Sequence, residues 1–292
     1  MLEQVLQQIF NGLALGSIYS LVALGFTLVY GILFMMNLPH GDVYMFGAFA
    51  CLVLMGALGH FWLAVCLAVM VTAAFGILME KVAYKPLRNA RRLAPLLSAL
   101  GVSLILENGA LLIFGPDLKP FPDVITLEPW IIYGIHISPL QIFIIVVSAI
   151  LMILLQVFLH KTNIGLGMQA ASMDRNTIQL MGMNINTIIS TTFGIGSGLA
   201  AAAGIQISMY YSAVYPLMGF PVMLKAFAAC VLGGIGNVYG AMIGGIVLGM
   251  AEVLSVGYLS SGYRDAIAFG VMILVLLFRP SGIMRGREDV YV

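Results

Sequence analysis

From Val5 to Met35 the chain contains no Asp, Glu, Lys or Arg. A helix needs about 20 residues to cross a hydrocarbon layer about 30 Å thick, so this run alone can span a bilayer. Similar runs follow at roughly 42–59, 61–80, 94–114, 139–159, 186–210 and 262–278, with a glycine-interrupted run at 222–254. A closed barrel would need short strands of alternating residues, whereas these runs are continuous, so helices are expected. Only 9% of the 292 residues are charged and mean hydropathy is +1.06, a surface that no soluble fold could solvate. The expected class is an all-α polytopic membrane protein, a single transmembrane domain over 1–292 with about 8 transmembrane or re-entrant helices. The net charge of +1 gives no bias toward nucleic acid. Cys51, Cys66 and Cys230 lie inside apolar runs, with no CxxC pair and no metal-ligand spacing. The N-terminal stretch lacks the positive region of a cleaved signal peptide, so the first run is expected to remain in the mature protein.

Orientation follows from counting Lys and Arg in the short loops. Loop 80–93 carries Lys81, Lys85, Arg88, Arg91 and Arg92, which places it in the cytoplasm. Loop 115–138 sets Asp117, Asp123 and Glu128 against Lys119 and belongs outside. Segment 161–185 then falls on the cytoplasmic side with Lys161 and Arg175, as does the tail with Arg279, Arg285 and Arg287. Because 186–210 exits and 262–278 must run inward, 222–254 must begin and end outside. Its first part, 222–232, makes only about 16 Å of helix at about 1.5 Å per residue and cannot cross alone. The economical solution is a half-helix that dips to mid-membrane, breaks at Gly233–Asn237 and returns as 238–254. Such a break at depth must be shielded by protein or line a wet cavity; a kinked, packed helix is the plainer reading. A second interruption, Asn37-Leu38-Pro39-His40-Gly41-Asp42, should end the first helix, since Pro39 has no amide hydrogen and Gly41 is flexible. As a surface turn it would put the N-terminus outside; as a mid-membrane break, inside. Interrupted segments in both halves are the pattern of repeat-built transporters.

Ionisable groups inside the apolar runs are costly and usually partnered. Glu107, Lys225 and Glu252 are the buried charges expected here, with a Glu107–Lys225 pair conceivable; the alternative is that each snorkels to an interface. His40, at a break, is a better pathway candidate than His60, His136 or His160, which read as interface residues. No pair has the nucleophile–base spacing of a catalytic site. Gly236, Gly240 and Gly244 recur every four residues, followed by Gly245 and Gly249, and 194–204 is similarly small-residued; such faces let helix backbones approach closely. No GxxxxGK[ST] occurs, so the chain has no P-loop of its own, and any ATP is used by another subunit.

Five stretches together resemble the LivH-type permease of branched-chain amino-acid ABC importers. They are "NGLALGSIYSLVALGFTLVYGI", "NLPHGD", "KTNIGLGMQAASMDRNTIQLMGMN", "MLKAFAACVLGGIGNVYGAMIGG" and "LFRPSGI". They occur in order from about Asn11 to Ile283. The resemblance implies a multi-pass protein of the bacterial inner membrane that forms half of a solute pathway. The implied partners are a second LivM-like permease, two ABC ATPase subunits, a periplasmic solute-binding protein and the lipid bilayer. No cofactor is implied on this chain, which is a transport subunit without its own ATPase site. Close relatives handle urea and short amides, an alternative solute class; a secondary transporter working without ATP is the alternative from another class. The resemblance further implies that a cytoplasmic coupling helix docks in a groove of the ATPase. Gln169, Ala170, Ala171, Asp174, Arg175, Ile178, Met181 and Gly182 would carry that contact, a helix-in-groove arrangement. Family members commonly carry arginines where Leu166 and Gln169 stand and alanines near Thr177 and Ile178, so this docking surface is less basic than usual. Asn37, His40, Asp42 and Asn237 are the candidate polar groups of the pathway.

Overall fold

The computed structural model describes residues 2–284 other than 89, 91–92, 133, 175–177, 179–181 and 259. Among them are α1 (Leu2–Leu33), α2 (His40–Leu58), α3 (Phe61–Met79) and α4 (Leu93–Phe114). These are followed by α5 (Pro139–Lys161), the short α6 (Asn163–Ala171) and α7 (Ile185–Tyr211). The chain ends with α8 (Gly219–Gly233), α9 (Val238–Tyr258) and α10 (Arg264–Phe278). Nine of the described helical segments are long and apolar enough to cross a membrane, the 222–254 run supplying two. The protein is therefore an all-α, multi-pass membrane protein. Sheet is confined to two small pairs: β1 (Lys119–Pro120) with β4 (Ala213–Val214), and β2 (Trp130–Ile132) with β3 (Ile135–Ile137).

α1 is the axis of the bundle, packed by α5, α7, α8 and α9. Its contacts depend on the glycines noted in the sequence. A Cβ at Gly245 would collide with Ser20, and one at Gly249 with Gly16, so α9 lies directly on the α1 backbone. Gly240 and Gly244 face the other way, against Gly233 and Ala229 of α8. Ser20 Oγ donates to the Met242 carbonyl at 2.6 Å across the first of these seams. Large apolar side chains of the outer helices stay exposed, among them Ile105 and Leu112 on α4 and Leu277 on α10. On a membrane protein these face lipid.

The N-terminus sits at the end of the bundle that carries 115–138. Gln7 Nε2 donates to the His136 carbonyl at 3.0 Å, and the His136 amide donates to Gln7 Oε1 at 2.8 Å. With that loop outside by charge, α1 starts outside. Yet the 34–39 interruption also leads deep into the protein. After α1 ends at Leu33 the chain doubles back, so that His40 Nε2 lies 3.1 Å from the Val22 carbonyl, beside Gly25. Residue 25 is about 12 Å short of residue 33 along a helix. The turn is thus a re-entrant return, and a deep break does not require an inside N-terminus, as the sequence alone suggested.

The second break is placed differently from the sequence expectation. Gly233–Asn237 is not at mid-membrane. The Ile283 and Met284 amides donate to the Leu232 and Gly233 carbonyls at 2.9 and 3.0 Å, so the turn lies beside the cytoplasmic tail. These bonds satisfy carbonyls that the end of α8 would leave orphaned. Positive φ at Gly234 (109°) and Gly236 (80°) makes the turn possible. The expected depth followed from placing 211–221 outside once 186–210 had exited. Instead, Pro216–Met218 forms a 3-10 turn and Gly219 packs on Gly41 at the start of α2. The segment Pro216–Gly233 is long enough to cross. The run 222–254 still begins and ends toward the outside.

Candidate functional site

At the cytoplasmic end, α6 is built for attachment to the bundle. Thr162 caps it, its hydroxyl accepting from the Gly165 amide at 3.0 Å, and Gln169 Nε2 donates to the Leu159 carbonyl of α5 at 2.6 Å. Gly165 lies so close to Phe158 and Leu159 that a Cβ there would collide. Met168 and Ala171 are buried, and Ala170 packs against the core. Ile178 is fully buried as well. This corrects its expected role as an apolar contact for an ATPase: its side chain holds the segment onto the bundle. The exposed groups include Ile164, Leu166, Met173, Asp174 and Gly182. Arg175 and Met181 lie outside the described residues. Loop 80–93 is fixed nearby by a cluster the sequence did not reveal. Glu80, fully buried at the end of α3, accepts from Ser190 Oγ at 2.7 Å and pairs with Arg88, which also donates to Asn186 Oδ1 at 2.7 Å.

A cavity of about 260 Å³ opens beneath α6, walled by Thr27, Gln156, His160, Gln169, Asn237 and Tyr239 among others. Asn237 is therefore at the cytoplasmic end, where its Oδ1 also accepts from the Gly240 amide at 3.1 Å and caps α9. It does not meet the other three pathway candidates. Asn37, His40 and Asp42 are buried together where α2 begins. Asn37 Oδ1 accepts from Tyr84 Oη at 2.8 Å, and Asp42 accepts from Ser103 Oγ of α4. His40 Nδ1 and Asp42 Oδ1 are buried without a hydrogen-bond partner among the described residues.

The charges within the membrane span gather at a third place. Lys225 Nζ lies 3.0 Å from Glu252 Oε1 and 2.9 Å from Asp265 Oδ1, and donates to Tyr19 Oη at 3.3 Å. Tyr19 Oη donates to Glu252 Oε1 at 3.0 Å. Arg264 pairs with the same carboxylate oxygen and donates to Tyr211 Oη. Glu252 is fully buried and does not snorkel, because it is the common acceptor for α1, α8 and α10. The conceivable Glu107–Lys225 pair is thereby replaced: Lys225 has two other carboxylates, and Glu107 stands half-buried on α4. Arg264, Asp265, Tyr19 and Tyr211 were missed in the sequence; the one signal was an Arg–Asp dipeptide opening an apolar run. Beside this cluster lies a second cavity of about 310 Å³, with Lys225, Arg264 and four tyrosines in its wall and an apolar side that includes Ile207, Met218 and Val222.

A re-entrant α-helical bundle with polar breaks, two partly open cavities and an ionic cluster shared by several helices has the form of a membrane transport protein. Residues 8–276 match the family of branched-chain amino acid transport system permease components, and the chain belongs to that family. It is 42% identical to the high-affinity branched-chain amino acid transport system permease protein BraD of Pseudomonas aeruginosa, over 98% of this chain and 97% of that one. It is 40% identical to LivH of Escherichia coli K12, covering 98% and 96%. Among solved structures it is similar to PsaBC from Streptococcus pneumoniae in complex with Fab, with a TM-score of 0.51 and 15% identity over 94% of this chain and 91% of that one, a likeness of fold. The chain is accordingly a permease subunit, one component of a transport system rather than a self-sufficient secondary transporter.

Proposed function

We propose that this permease forms half of the translocation pathway of an ATP-driven importer for branched-chain amino acids in a bacterial inner membrane. Full-length identity of 42% to a permease that carries that description is the observation that supports it most. The chain would work with a second, related permease, two ABC ATPase subunits and a periplasmic solute-binding protein. ATP would be bound and hydrolysed only by the ATPase pair, leaving this chain without a cofactor. The segment 161–185 would dock on an ATPase, with Leu166, Met173 and Asp174 as its outward contacts. Because Gln169 and Ile178 tie the segment to the bundle, ATPase closure would be passed to α5 and α1 as a rigid-body displacement. Asn37, His40 and Asp42 would contribute polar groups at the deep break, and Asn237 at the cytoplasmic exit. Gentle extraction of the tagged chain from its native membrane tests the assembly. The expected result is co-purification of a second permease and ATPase subunits; a chain that emerges alone or only with copies of itself would overturn it.

A further inference from the structure

We propose that the outer cavity is a carboxylate-anchored site in which the translocated amino acid pauses within this one subunit. The inference rests on the proposed substrate class and names where in this chain the substrate is held. Charge is distributed unevenly around the cavity. Lys225 and Arg264 form part of its wall, whereas Glu252 and Asp265, the carboxylates that balance them, do not. Glu252 lies behind the cations with no exposure, and the Asp265 side chain is 65% exposed away from the wall. The ligand therefore meets the positive side of a cluster whose overall charge is balanced.

Tyr44 also lines the cavity. Its side chain is almost wholly buried. Across from these groups, Ile207, Met218 and Val222 offer an aliphatic surface suited to a branched side chain. The volume of about 310 Å³ is at the small end for ligand pockets, which fits a small solute. Leu118 and Ala213, beside and within the β1–β4 pair, also line the cavity. A carboxylate on Lys225 and Arg264 competes with Glu252 for the same donors. Glu252 joins α9 to α8 and α10, so occupancy of the site is coupled to the packing of those three helices.

The test is binding of radiolabelled leucine to the native complex in nanodiscs without its solute-binding protein. Displacement is measured with leucine, with 4-methylpentanoate, which lacks the amine, and with leucinol, which lacks the carboxylate. The expected result is displacement by leucine and 4-methylpentanoate, with leucinol at least about tenfold weaker, the discrimination a desolvated charge contact provides. Lys225→Met should weaken leucine binding about tenfold. Tyr44→Phe removes one hydroxyl from the cavity wall and should weaken it several-fold with the fold intact. Equal displacement by leucinol, or unchanged binding in Tyr44→Phe and Lys225→Met, would overturn the site. Leucine import with the solute-binding protein present, but no binding without it, refutes the site and leaves the substrate class standing. Neither import nor binding refutes both.

Discussion

Removing the Glu252 carboxylate should destabilise the bundle more than any single loss at the helix surfaces. Glu252 is fully buried and accepts from Tyr19, Lys225 and Arg264. Breaking a buried ion pair by deleting one partner costs about 3–5 kcal/mol, because the other charge is left uncompensated. Two features of this cluster pull the value down. Lys225 keeps Asp265 at 2.9 Å, and the Arg264 side chain is 34% exposed and can turn to solvent. The expected loss for Glu252→Met is therefore about 3 kcal/mol, at the low end of that range. Glu252→Gln keeps an acceptor without the charge and should fall between Met and wild type. Combining Glu252→Met with Lys225→Met removes both halves, and the double variant should be less damaged than the sum of the singles by about 1–3 kcal/mol. Equilibrium unfolding of the purified chain in mixed micelles reads all four. Strict additivity, or a Glu252→Met variant as stable as wild type, would refute the claim that this carboxylate joins the helices.

Gly245→Leu should prevent accumulation of folded protein, since its side chain would run into Ser20 on the α1 backbone, and overpacking of this kind costs at least about 1–3 kcal/mol; normal yield and melting would contradict the packing. Leu166→Asp with Met173→Asp should abolish ATP-linked uptake while the chain remains in the membrane, because both side chains are exposed at the cytoplasmic end; unimpaired uptake would remove this surface from the ATPase contact. A single cysteine at Val256, near the end of α9, and one at Glu3 should both react with an impermeant reagent added outside; labelling of either from the cytoplasm would overturn the orientation. The double variant Glu80→Gln/Arg88→Met should loosen loop 80–93 from α7 and raise its protease sensitivity from the cytoplasmic side, and unchanged cleavage would show that Ser190 and Asn186 do not need the pair.

The spans were legible because a membrane forces length and apolar composition onto each crossing helix. The glycine faces were legible too, and the structure adds that Gly240 and Gly245, on one helix, serve opposite neighbours. What the sequence could not supply is depth and partnership. The Gly233–Asn237 break looked like a mid-membrane feature because Tyr215–Met218 does not resemble a helix, although a turn of 3-10 structure and an extended stretch carry the chain inward as well. Lys225 and Glu252 were visible as costly groups, but their pairing depends on α8 and α9 folding back on each other. Arg264 and Asp265 open the last apolar run, and only tertiary packing brings them to Glu252 and Lys225. Ile178 shows the same limit at the cytoplasmic end. An apolar residue in a polar segment signals burial, and the sequence does not say whether a partner or the chain itself provides it.

The most direct test of the account is uptake of radiolabelled leucine into proteoliposomes holding the native complex, with solute-binding protein outside and ATP sealed at the ATPase face. The account predicts leucine accumulation that requires ATP and the solute-binding protein, and that is lost in the Leu166→Asp/Met173→Asp variant. Accumulation without ATP, or ATP-driven import that excludes leucine, valine and isoleucine, would contradict it.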